Sequence, residues 1–130
     1  MQALYKSGGN MHLVFNAQEV DYSEALGGDL VQASFQEKPV PYIDYSKKNH
    51  PLPPPIKSVV FSANYEFSSK IKVEWCDGEE FDGGESIREL KLTSSMLKLV
   101  LTNGFSFAVS FKTNDFTFQN IKSFLLSGSK

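Results

Sequence analysis

The feature that most constrains this chain is a repeated β unit in its second half. Ile56-Lys57-Ser58-Val59-Val60-Phe61 and Ile87-Arg88-Glu89-Leu90-Lys91-Leu92 share an isoleucine, a basic residue, and apolar residues at the fourth and sixth places. Ile71-Lys72-Val73-Glu74-Trp75-Cys76-Asp77-Gly78 then aligns with Leu97-Lys98-Leu99-Val100-Leu101-Thr102-Asn103-Gly104. Each copy reads as strands separated by a turn at Asp-Gly or Asn-Gly, the steps that favour hairpins. The first copy carries extra residues around Ala63 to Ser69, a cheap place for an insertion because it is a hairpin loop.

The turn geometry follows from side-chain alternation. A two-residue loop at Asn103-Gly104 would put the large residues of the two strands on opposite faces, since a one-residue slip inverts every side chain. A three-residue loop, Thr102-Asn103-Gly104, pairs Leu101 with Phe105, Leu99 with Phe107 and Leu97 with Val109, all on one face. Glycine at the third position suits the left-handed backbone such loops need. The same rule applied to Cys76-Asp77-Gly78 pairs Val73 with Phe81.

Beyond Phe111, Thr113-Asn114-Asp115 offers cap residues, and Phe118, Ile121, Phe124 and Leu125 recur at helical spacing up to Gly128. This closing helix is expected to lie across the face built by Leu97, Leu99 and Leu101. The predicted class is α+β: a mostly antiparallel sheet of two β-meander units, about 56–83 and 87–112, with a C-terminal helix over about 115–126 packed on it.

The first half is less regular. Residues 1–10 end in Ser-Gly-Gly-Asn and read as a flexible leader, and Met11 to Phe15 is the first apolar run. The polar stretch between Asn16 and Leu26, stopped by Gly27-Gly28, suggests a short surface helix. Val31, Ala33 and Phe35 alternate with polar residues, which is strand spacing. All six prolines fall between Pro39 and Pro55. Tyr42 to Tyr45 reads there as a short edge strand, and 46–55 as a Pro-rich connector with an extended polyproline end. A length of 130 residues fits a single domain. Eleven Phe and five Tyr against one Trp, many beside β-branched residues, agree with a strand-rich fold.

Several function classes find no footing. No apolar run approaches the ~20 residues of a membrane helix, so no membrane association is expected. The N-terminus lacks the charged start and apolar core of a secretory signal. One cysteine cannot form an internal disulfide, which agrees with a reducing compartment, and a cytoplasmic location is the expectation. A pI near 5.7 and the lack of a basic stripe interleaved with aromatics argue against nucleic acid. Glycine-rich phosphate loops, zinc spacings and nucleophile elbows are missing, so no catalytic residue, cofactor or metal is assigned. A Cys–His enzyme would need Cys76 and His50 to meet, whereas Cys76 aligns with Thr102 and reads as a small turn residue. His12 alternates with Leu13 and reads as a solvent-facing strand residue.

Charge is the informative pattern. Residues 74–85 hold Glu74, Asp77, Glu79, Glu80, Asp82 and Glu85 without a single Lys or Arg. Elsewhere in 56–130 there are nine basic residues against three acids, a contrast that the overall charge of −2 conceals. Such a hairpin repels itself, and a partner bringing Lys or Arg relieves that repulsion and is steered to it. The competing role is a solvated turn that blunts a sheet edge against aggregation. A calcium loop is disfavoured, because the acids are flanked by strands and lack EF-hand spacing. Tyr42 and Asp44 share one face of the proposed edge strand and form a second candidate contact, with packing the alternative for Tyr42.

Taken together, Tyr42-Ile43-Asp44-Tyr45, the Pro-rich connector, Glu74-Trp75-Cys76-Asp77-Gly78 and the Phe-rich closing helix resemble the immunity proteins paired with bacterial polymorphic or contact-dependent toxins. The likeness spans residues 40 to 126. It implies a non-enzymatic inhibitor that binds a cognate toxin, often a nuclease, and blocks its basic cleft. The alternative is a scaffold or regulatory module that adds a partner strand to its exposed sheet edge.

Overall fold

The computed structural model describes residues 11–39, 46–49, 55–67 and 70–128. Among the described residues, nine strands form two sheets: β1 (His12–Ala17), β2 (Glu19–Ala25), β3 (Leu30–Gln36), β4 (Ser58–Asn64), β5 (Lys72–Cys76), β6 (Phe81–Glu85), β7 (Ile87–Leu92), β8 (Met96–Leu101) and β9 (Ser106–Phe111). One helix, α1 (Asp115–Gly128), follows. The four-stranded sheet has the order β1-β9-β8-β7 and the five-stranded sheet β2-β3-β4-β5-β6. Every pair is antiparallel except β1 with β9. The α+β class, the two meanders and the closing helix are therefore as the sequence indicates.

The meanders belong to different sheets, β4-β5-β6 in one and β7-β8-β9 in the other. Single residues, Gln18 between β1 and β2 and Ser86 between β6 and β7, carry the chain from sheet to sheet at opposite sides. The two inner faces meet in one apolar core. Leu13, Phe107, Leu99 and Leu90 form one cross-strand row of the four-stranded sheet, and Phe15, Val109, Leu97 and Leu92 the next. Opposite them, Phe35, Val59 and Trp75 are one row of the second sheet, and Tyr22, Ala33, Phe61 and Val73 another. Edge-to-face rings join the layers: Trp75 lies 5.7 Å from both Phe105 and Phe107, and Phe35 lies 5.1 Å from Phe111. Such pairs add to the stabilisation from burial itself.

This arrangement corrects the expected cover for Leu97, Leu99 and Leu101. The second sheet seats on them, because residues 11–36 supply three further strands. The helix instead packs beside β2 and the end of β9, with Phe124 against Tyr22 at 6.4 Å and Phe118 against Phe111 at 6.4 Å. Its buried stripe is the expected one, Ile121, Phe124 and Leu125, and Asn114 caps it by accepting the Thr117 N–H at 2.7 Å. Both meanders feed the core, since Val59, Phe61, Val73 and Trp75 are as buried as Leu97 to Leu101.

Two local expectations also change. The segment after Asn16 is strand β2 followed by a 3-10 turn at Leu26–Gly28, not a helix. Val20 and Tyr22 alternate inward there, and pairing with β3 outweighs weak helix preference. In the first meander the hairpin loop has four residues, Asp77 to Glu80, so Cys76 pairs with Phe81 and Trp75 with Asp82. Asp77 sets this length: one carboxylate oxygen accepts the N–H groups of Glu79 and Glu80, each at 2.9 Å, and the Asp77 N–H donates to the Glu80 carbonyl at 3.2 Å. The β6 text Phe-Asp-Gly-Gly-Glu has only one large apolar residue, too little hydrophobic pattern to fix its register. The second hairpin keeps the expected three-residue loop, with Leu99 opposite Phe107, Leu97 opposite Val109, and the Leu101 N–H donating to the Phe105 carbonyl at 2.8 Å.

Candidate functional site

The acidic residues lie on the β5–β6 hairpin, at the edge of the five-stranded sheet. Sequence places them together and the fold keeps them so, but it gives them different tasks. Asp77 is taken up by its own turn. Glu85, at the far end of β6, accepts the Thr102 hydroxyl at 2.7 Å, while the Thr102 N–H donates to the Ser86 carbonyl at 2.9 Å. That pair of bonds pins the corner where the chain changes sheets, so Glu85 is part of the frame. Asp82 accepts the Gly83 N–H at 2.8 Å and remains exposed. Glu74, Glu79 and Glu80 are exposed as well.

Glu74 crosses over β6. A Cβ added at Gly83 would sit 2.5 Å from Glu74 Cγ and 3.1 Å from its Cα. Glycine at position 83 is what lets the Glu74 side chain lie there. The residue after it, Gly84, has no partner on β5, because Glu74 pairs with Gly83 and Val73 with Glu85. This β-bulge twists the edge.

Phe81 is the residue of the hairpin whose position differs most from the sequence expectation. The four-residue loop turns it outward, 68% exposed, between the acids Glu80 and Asp82. The legible signal was the loop sequence Asp-Gly-Glu-Glu, whose leading Asp is suited to cap two following N–H groups.

A cleft of about 470 Å3 lies on the other side of the turn, where Asp77, Gly78 and Glu79 face His12, Val14 and Lys57. His12 is on the outer face of β1, with Nδ1 2.6 Å from the Ser106 hydroxyl, as expected for a solvent-facing strand residue. Cys76 is not in the turn. It ends β5 fully buried, and burial pushes its thiol above the usual range, with the Asp77 charge acting in the same direction and the Gly78 and Glu79 N–H groups opposing. A thiol in that setting is a poor nucleophile.

The 1–10 leader, the Tyr42 to Tyr45 segment with Tyr42 and Asp44, His50 and residues 51–54 of the Pro-rich connector lie outside the described residues. Among the described residues, no group of three or more His, Cys, Asp or Glu is arranged to hold a metal ion. No helix among them is long and apolar enough to cross a membrane. No family model, no curated protein and no solved structure matches this chain.

Proposed function

We propose that this chain is a non-enzymatic binding protein that engages a basic protein surface through its β5–β6 hairpin, as an immunity protein engages its toxin. The observation that carries the reading is Phe81, an exposed aromatic held on strand β6 between exposed carboxylates. Interfaces draw most of their energy from a few aromatic or arginine anchors ringed by polar groups. The surrounding acids steer a cationic partner and fix its register. A toxin with a basic nucleic-acid cleft has the complementary surface, and a bacterial cytoplasmic setting goes with that role.

Strand addition at the β6 or β7 edge is less well supported. β6 has its bulge at Gly84, and on neighbouring β7 Arg88 is likewise left over, because Ile87 pairs with Leu101 and Glu89 with Val100. Bulged, charged edges are poor templates for another strand.

The test is capture of a partner from the native cell by the tagged chain, followed by affinity measurement with two variants. Reversing Glu79, Glu80 and Asp82 to Lys is expected to leave only weak binding, and Phe81→Ala to weaken it about tenfold or more. A partner bound equally well by both variants contradicts the reading.

A further inference from the structure

The outer face of the five-stranded sheet holds an arrangement that the linear sequence hides. Ladder pairing sets Glu19, Gln36, Ser58, Cys76 and Phe81 in one row across all five strands. The adjacent row is Asp21, Ser34, Val60, Glu74 and Gly83. The middle members of both rows are short and half-buried or buried, while Phe81 and Glu74 stand exposed on the β5–β6 side. The result is a trough, and a cavity of about 440 Å3 runs along it against Gln36, Ser58, Val60, Glu74 and Phe81, with Trp75 and Asp82 completing its lining. Gly83 has no Cβ to hold Glu74 away, so that side chain settles over β6, on the face that carries Phe81 two residues earlier.

The walls differ in chemistry. One is an aromatic ring and another a carboxylate, with the Val60 side chain on the floor. On this face the register gathers three carboxylates, Glu19, Asp21 and Glu74, against one cation, Lys72. We infer that the trough bounded on its β5–β6 side by Phe81 and Glu74 receives an arginine side chain projecting from the partner's basic surface. The guanidinium is planar and weakly hydrated, stacks on an aromatic face, and offers a donor fork to a carboxylate. Its methylene stem covers apolar floor such as Val60. Lysine satisfies the charge but not the stacking. This inference rests on the hairpin reading above, since a basic partner is what delivers the side chain.

Two measurements test it separately from that reading. In the first, N-acetyl-arginine amide is titrated at low salt into the isotope-labelled chain, with the lysine and citrulline equivalents as controls. Saturable amide shifts at Val60, Glu74 and Phe81 are expected for arginine, smaller ones for lysine and none for citrulline. Glu74→Gln should remove them, and Phe81→Ala should weaken binding about two- to fivefold, the scale of an exposed cation–π contact. Shifts that are absent, that arise equally with lysine or citrulline, or that centre elsewhere overturn the inference. In the second, a captured partner is compared on the Glu74→Gln chain and on the chain with only Glu79 and Glu80, which do not line the cavity, reversed to Lys. Loss with both variants supports the trough. Loss with the Glu79 and Glu80 double variant alone overturns the trough and leaves the hairpin reading standing, whereas full binding by both contradicts both.

Discussion

Cys76 and Tyr22 show how one position's surroundings decide its chemistry. The Cys76 thiol is buried and its ionisation is pushed up by that burial, so it is expected not to react with an aromatic disulfide reagent in the native state. Reaction should begin only in denaturant, and prompt native labelling would contradict the burial. Tyr22 faces the core beside Phe124 and donates to Glu24 Oε2 at 2.5 Å. Burial first, then that hydrogen bond and the Glu24 charge, raise its pKa from 10.0 to about 12. The fold therefore prefers the neutral phenol. Its contribution is complete below pH 10, the unfolded value, and is lost as pH rises through about 12. Denaturation midpoints of the wild type and Tyr22→Phe measured across that window should converge as the wild type loses the contribution of its neutral phenol. Parallel curves would contradict the account.

At the level of elements, the two hairpins separate what a sequence can reveal from what it cannot. In the β8–β9 hairpin every inward position is Leu, Phe or Val, so only one register buries them all, and the loop length followed from that. Gly104 has φ +93° in that loop. Replacing it by Ala should cost about 1–2 kcal/mol in chemical denaturation, the penalty of a left-handed L-residue, and an unchanged midpoint would remove the turn assignment. The β5–β6 hairpin has no such hydrophobic pattern on its second strand, so local hydrogen bonding to Asp77 chose the register and turned Phe81 outward. Helix α1 was legible because its cap and its apolar stripe are both local. Strand β2 was not, because its apolar residues are few and its partner, β3, lies beyond a glycine turn. The acids of the candidate site could be listed from sequence, and the capping role of Asp77 is local, but the place of Glu85 in the framework depends on its long-range bond to Thr102.

For the whole molecule, the chain's two crossings at Gln18 and Ser86 explain how similar meanders come to serve different sides of one core. The second meander packs its large residues inward and closes on β1. The first also fills the core with Val59, Phe61, Val73 and Trp75, yet its last strand leaves the core and exposes Phe81 among carboxylates. Placement of Glu19 and Asp21 on the same outer face extends the negative field beyond the hairpin, through pairing that no short motif reports. An interface steered by such a field is screened by salt, whose screening length falls from ~30 Å at about 0.01 M to ~3 Å at about 1 M. The most direct test of the central claim is therefore the partner affinity of the wild type and of the variant with Glu79, Glu80 and Asp82 reversed to Lys, followed across that range. The wild-type affinity should fall steeply with salt, and the variant should bind weakly at every concentration with little or inverted dependence; equal affinities and equal slopes would contradict a binding role for the acidic hairpin.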